Sequence, residues 1–359
     1  MQPTFRILSN SQDITAAIRD RLIEITITDE AGIQSDALSL TLDDRRRENG
    51  ALAELPRVGT VLTVSIGYVE TGLVALGKFI IDEVEIRSPP ATLTVSGKAA
   101  DMVGPFRSPK TRSWDETTLG KLVETIAGEH RYTPKIDPEL GRIAIAHLDQ
   151  TAESDMALLT RLAGKHDATA KPVDGFMVLA RQGATKSVTG RTLPTITLSV
   201  SDLAEWRYQH SARKPGGSGA IKDANTQQPP ATATGGTKAY WWDFAKGERK
   251  EVTTGKPPYE ELRYVHASEA EAKAATATKK NKGERAQGEL SFSLPGNPNL
   301  AAEGRLSIHL RPGIPLEWRI KRVEHRLGSQ GYTCQVDCER FAAPPEPPPK
   351  PITNIPANE

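Results

Sequence analysis

FIIDEVE, residues 79–85, and WRIKRVE, residues 318–324, carry one pattern of side chains at an offset of 239. Phe79, Ile81 and Val84-Glu85 in the first correspond to Trp318, Ile320 and Val323-Glu324 in the second. With a shift of two more residues, Leu93 and Val95 align with Cys334 and Val336, and GTVLTVSI from Gly59 is matched loosely by GRLSIHL from Gly304. Period-two alternation marks half-buried strands. The shared aromatic-x-Ile-x-x-Val-Glu spacing goes further and predicts two similar β modules in one chain. Three such chains around an axis would present six similar modules, so a trimer could match a hexameric partner.

Around the first copy, Ile23, Ile25 and Ile27 alternate with Glu24, Thr26 and Thr28, and Leu38, Leu40 and Leu42 alternate with Ser39 and Thr41. Val61 to Ile66, Phe79 to Ile86 and Thr92 to Ser96 continue the series, which suggests a sandwich or barrel. The middle of the chain changes period. Ser113 and Glu116 form a capping-box pattern before Leu119, Leu122, Val123 and Ile126, and Thr151 is a candidate N-cap before the stripe Met156, Leu159, Leu162 and Ala163. RIAIAHLD between them reads as a strand. Around the second copy, Ser268 and Glu271 open an alanine-rich helix to about Lys280, followed by alternating runs at 289–294, 304–310, 316–325 and 331–338.

The chain has 359 residues, and 46 Lys and Arg nearly balance 45 Asp and Glu for a formal charge of +1, so no strong net field is available to hold nucleic acid. Residues 211–239 contain Ile221 as their only large aliphatic side chain, and PPEPPPKPITNIP near the C-terminus contains seven prolines, so both predict solvated loop or tail. No basic stretch followed by an apolar run opens the chain and no stretch reaches the roughly 18 apolar residues of a membrane helix, so a soluble, intracellularly made protein is expected.

The chemistry-bearing residues do not gather into a catalytic pattern. His130, His147, His166, His210, His266, His309 and His325 include no H-E-x-x-H pair. No Walker lysine, G-x-G-x-x-G or G-x-S-x-G follows a strand. Cys334 and Cys338 lie on one face of a strand with Tyr332 and Val336; four residues of strand span about 13 Å, beyond the roughly 4.4–6.8 Å of a disulfide, so they read as small buried hydrophobes. No enzyme, metal or cofactor is expected. Adjacent Trp241 and Trp242 point to opposite faces of a strand, so one can enter the core while its neighbour lies against another surface; ordinary core packing is the first expectation and a partner contact the second.

SWDETTLGKLVETIAGEH, HLDQTAESDMALLTRLAGKHDATAKP, ASEAEAKAAT and WRIKRVEHRLGSQGYTCQVD, in that order, resemble the blocks of the phage late control gene D protein family, the tail baseplate hub of contractile phages and related injection systems. That family is similar to the N-terminal hub part of the type VI secretion spike proteins (VgrG). The resemblance spans about 1–341. It implies a mainly β fold with an α+β insertion: a first tube-like β-barrel domain at 1–104, an inserted α+β domain at 105–204, and a second tube-like β-barrel domain at 205–341 with a helix and a flexible loop at 211–239, then a proline-rich tail at 342–359. It also implies a homotrimer in the virion baseplate, made in the host bacterial cytoplasm. Its expected partners are the trimeric spike protein, the hexameric tail tube protein, the tape-measure protein and baseplate wedge proteins, with DNA passing through without sequence-specific binding. Any spike would be a separate polypeptide. Trp114, His147, Asp149, Gln150 and Asp155 match the family's recurrent positions and are expected to determine the fold or to make contacts, with Trp241 and Trp242 as interface candidates. A cell-wall-binding or peptidoglycan-degrading tail component is the alternative.

Overall fold

The computed structural model describes residues 1–32, 35–46, 52–99, 105–173, 175–182, 195–210, 236–285 and 288–341. The first region contains β1 (Pro3–Ser9), β2 (Gln12–Asp13), α1 (Thr15–Arg19), β3 (Leu22–Glu30), β4 (Ala37–Asp43), β5 (Val61–Tyr68), β6 (Gly72–Arg87) and β7 (Thr92–Ala99). The middle contains β8 (Pro109–Thr118), α2 (Leu119–Glu129), β9 (Thr133–Ile136), α3 (Pro138–Gly141), β10 (Ala144–Ser154), α4 (Asp155–Lys165), β11 (Ala168–Val173) and β12 (Phe176–Arg181). Then come β13 (Thr195–Leu198), β14 (Glu205–His210), β15 (Gly236–Asp243), β16 (Glu248–Gly255), β17 (Tyr259–His266), α5 (Glu269–Arg285), β18 (Gly288–Pro295), β19 (Arg305–Ile308), β20 (Glu317–Gly328) and β21 (Gly331–Arg340).

The two β regions are not two closed barrels. Among the described residues no sheet closes. Both regions instead contribute to one open 13-stranded sheet whose main path runs β14-β18-β21-β20-β3-β4-β7-β6-β5-β1-β2, with β19 and β13 branching from β20. The expectation fails at one junction. Residues 322–328 of β20 pair antiparallel with residues 24–30 of β3, so the strand edge that would have closed the first module on itself joins it to the second. The sheet curls nevertheless: the rings of Tyr68 on β5 and Tyr332 on β21, with five strands between them along the path, lie 5.7 Å from centroid to centroid. One apolar cluster therefore includes Ile25, Leu40, Val64 and Phe79 of the first region together with Phe292, Trp318, Val323 and Val336 of the second.

The repeat is visible in the pairing register. Ile81 faces Gly97 and Ile320 faces Cys338, and an irregularity follows at once in each ladder, between Ile81 and Glu83 and between Ile320 and Arg322. Beyond it Val84 faces Val95 and Val323 faces Val336, then Ile86 faces Leu93 and His325 faces Cys334. A bulge inserted at the same place bends both long strands alike.

Two helices start later than their local capping signals indicate. Thr118, not Ser113, caps α2, accepting from the Lys121 amide, because the chain stays extended through Thr118; the Ser113 hydroxyl instead donates to Asp149. Likewise β10 runs to Ser154, which caps α4 in place of Thr151. Ile23 is exposed although Ile25 and Ile27 are buried, since the β3–β4 register shifts between Leu22 and Glu24. Residues 236–239, expected in the loop, begin β15, while 211–235 and the tail 342–359 lie outside the described residues.

A second apolar cluster joins α2, α4 and the sheet β11-β12-β9 through Leu122, Ile126, Leu158, Leu162, Ala170 and Met177. α5 straps this layer to the large sheet: Lys165 pairs with Glu271, the Thr278 hydroxyl donates to the Lys165 carbonyl at 3.2 Å, and buried Arg285 pairs with Asp167 and, at 3.4 Å, with Glu339. Across the same boundary Lys171 reaches Asp36 at 2.6 Å.

Candidate assembly interface

The antiparallel ribbon β8–β10 sorts the candidate residues by face. Trp114 lies opposite Leu148 and Arg112 opposite Gln150, while Ser113 lies opposite Asp149 and Asp115 opposite His147. Alternation therefore sends Arg112, Trp114 and Gln150 inward toward the helices and Ser113, Asp115, His147 and Asp149 outward.

Inward, the centre is Asp155, in the first turn of α4 and fully buried. Its carboxylate accepts from Lys110 at 2.6 Å, Arg112 at 2.7 Å and the Gln150 amide at 2.9 Å, and lies 2.7 Å from His130 Nε2. Burial alone would raise this carboxyl, but the hydrogen bonds from Gln150, His130 and Lys110 and the Arg112 charge outweigh it and hold it at about 2. Lys110 and Arg112 also bond Glu129 at the end of α2, at 2.7 and 2.6 Å. The Gln150 carbonyl accepts from Arg112 and from the Trp114 indole, and the Arg112 guanidinium lies 4.3 Å from the Trp114 ring centre. Three remote segments, β8, the end of α2 and the β10–α4 joint, are thus pinned together. The ligand atoms of Glu129, His130 and Asp155 lie within 4.8 Å of one another, the spacing a metal ion needs. Their two negative charges are already balanced by Lys110 and Arg112, so a divalent cation would enter against two fixed positive charges. The cluster is built as a polar staple.

Outward, His147 bonds Asp115 at 2.5 Å through Nδ1 and lies 3.3 Å from Asp149 through Nε2. Hydrogen bonds to both carboxylates raise its pKa, while the Ser113 hydroxyl and His147 lower that of Asp149. Ser113 serves Asp149 and not the imidazole, so Ser113 is not activated as a nucleophile. The group forms an exposed, salt-screened surface.

Trp241 and Trp242 belong to a separate sheet, β16-β15-β17, backed by α5. Buried Thr237 and Ala239 mark the helix side of β15, which Trp241 shares, with Lys250 5.5 Å from its ring. Trp242 points the other way and is exposed beside exposed Phe244. The candidate residues thus fall into three places rather than one site. Lys110, Arg112, Glu129 and His130 were missed because their partners are distant in sequence, and only the charged Lys110 and Arg112 on one strand face hinted at them.

A buried Cys-His contact lies in the large sheet, with Cys334 Sγ 3.3 Å from His325 Nδ1. Burial pushes the Cys334 thiol up to about 11 and the His325 ring down to about 4, so both stay neutral and the pair lacks the thiolate of a nucleophile.

Residues 32–331 match the family model described as phage tail baseplate hub (GPD). The chain is 32% identical to the probable baseplate hub protein of Escherichia phage 186, over 94% of this chain and 93% of that protein. Among solved structures it resembles the 43 kDa tail protein of prophage MuSo2 from Shewanella oneidensis, with a TM-score of 0.69, 14% identity, and 94% and 98% of the two chains covered. It also resembles the Escherichia coli c3393 protein, a component of the type VI secretion system described as structurally similar to the T4 bacteriophage tail proteins gp27 and gp5, with a TM-score of 0.52, 9% identity, and 90% and 74% covered. Those two likenesses concern the fold alone. With the family model spanning most of the chain and a relative of this identity matched along nearly its whole length, the chain belongs to the phage tail baseplate hub (GPD) family, a structural component of the virion's tail baseplate.

Proposed function

We propose that three copies of this hub form an adaptor between a hexameric tail tube and a trimeric central spike. Residues 1–104 and 205–341 supply the two similar modules, and 105–204 the inserted one. The observation that carries the reading is the repeated ladder: two long strands 239 residues apart pair in the same register with equivalent strands and bulge at the same place. Three chains then offer six similar modules to a six-fold ring and three unique surfaces to a three-fold needle.

In this reading the ring surrounds the passage taken by the tape-measure protein and then by DNA, and the formal charge of +1 suits a conduit that must not retain phosphate. Trp114, Gln150 and Asp155 hold the inserted layer in shape. His147, Asp149, Trp241 and Trp242 supply contacts to baseplate wedge proteins or to the spike. Light scattering on the full chain, alone and mixed with its spike and tube proteins, tests the adaptor: a trimer is expected in the mixture, and a monomer in every mixture refutes it.

A further inference from the structure

β20 uses its edges in two halves. Residues 317–319 pair with β19, and 322–328 pair with β3, which is how the second module joins the first. Its repeat counterpart β6 pairs with β5 through residues 72–80 only. Among the described residues the same edge of Glu83–Arg87 has no strand beside it. The counterpart of β3 is found through the ladders. Leu38, Leu40 and Leu42 of β4 hold the places that Leu290, Phe292 and Leu294 hold in β18, and β14 then pairs with β18 as β3 pairs with β4. Ile25 corresponds to Trp206 and Ile27 to Tyr208. β14 is the last strand of the main path, so among the described residues its outer edge is open too.

Burial follows this division. His325 and Ile25, inside the β20–β3 junction, are 1% and 0% exposed, whereas their counterparts Ile86 and Trp206, on the open edges, are 54% and 37% exposed. The charges repeat as well. Arg326 pairs with Glu324 at 2.8 Å and lies 3.5 Å from Glu24 across the junction; Arg87 pairs with Glu85 at 2.8 Å, and Glu205 holds the place of Glu24.

We infer that the second half of β6 in one copy pairs antiparallel with β14 of the next, in the register of the internal β20–β3 junction. Transferred residue by residue, Val84 faces His210, Glu85 faces Gln209, Ile86 faces Tyr208 and Arg87 faces Arg207. Glu85 and Glu205 lie diagonal to the two arginines and balance them. The contact is head-to-tail, the kind that three copies need to form a ring, and it covers two open strand edges that would otherwise invite indiscriminate pairing. This rests on the trimeric reading above and deepens it by naming the strands and register that join the copies.

Directly opposed residues of antiparallel strands have Cα atoms roughly 4.5–5.5 Å apart, within the disulfide range. The full-length double variant I86C/Y208C, mixed with its spike and tube proteins and mildly oxidised, is expected to give covalent dimers and trimers on a non-reducing gel. I86C/Q209C, with its thiols on opposite sheet faces, is expected to give neither. Native Cys334 and Cys338 are buried and add no background. A trimer by mass with no I86C/Y208C crosslink overturns the strand assignment and leaves the adaptor standing; no trimer at all overturns both. Ile86→Lys should unfold at the temperature of the unaltered chain yet fail to trimerise, and a stable trimer from it also overturns the assignment.

Discussion

Acidification should cost the large sheet stability at His325. Its ring is buried between β3 and β21, accepts from the Tyr332 hydroxyl at 2.8 Å and bonds the Leu300 backbone. Burial lowers its pKa to about 4, and the Leu300 bond only partly opposes this, whereas in the unfolded chain it returns to about 6.5. Above pH 6.5 the ring is neutral in both states and costs nothing. As the pH falls below 6.5 the unfolded chain takes up a proton that the folded chain refuses, so stability is lost until the folded ring titrates near 4. The difference between those values, at about 1.4 kcal/mol per unit, gives a full loss of about 3 kcal/mol, of which about 2 kcal/mol is present at pH 5. Urea unfolding at pH 7 and pH 5 should measure it in the unaltered chain and in His325→Gln, which keeps a polar side chain but cannot titrate. Other groups contribute to both proteins and cancel in the comparison. The variant should be less stable at pH 7 and lose about 2 kcal/mol less on going to pH 5. Equal losses in the two proteins would show that His325 is not held neutral by the fold.

Asp155→Asn removes the carboxylate between Lys110 and Arg112 and should cost about 3–5 kcal/mol, with hydrogen exchange accelerating first in α2 and α4; a cost under about 1 kcal/mol would refute the staple. Phe79→Ala and Trp318→Ala empty equivalent buried places, and each should lower stability by about 3–5 kcal/mol in urea unfolding. Thr118→Ala should cost about 1 kcal/mol as a lost helix cap, and a larger loss from exposed Ser113→Ala would reverse that assignment. Cys334 and Cys338 should resist thiol reagents in the folded chain and react on unfolding, since burial pushes both thiols up.

Much of the chain's architecture is legible residue by residue. Alternation at Leu38, Leu40 and Leu42, the stripe Leu119, Leu122, Val123 and Ile126, and the repeat of FIIDEVE in WRIKRVE are short-range patterns, because a side chain's direction in a strand or helix follows from its position alone. The order of such blocks carries the resemblance to the family, which the family model and the relative from phage 186 establish. Helix starts were less legible, since Ser113 and Thr151 satisfy the same local rule as the true caps, and only the length of the preceding strand chooses between them.

The tertiary structure alone decided that two modules share one open sheet and that Asp155 collects Lys110, Arg112, His130 and Gln150. The reason is the same in both cases. Period two says which face of β3 is buried but not which strand takes its second edge, and a charge on a strand says nothing of a partner some forty residues away. Those choices are made by backbone hydrogen bonds and desolvated charges that exist only once distant segments have come together.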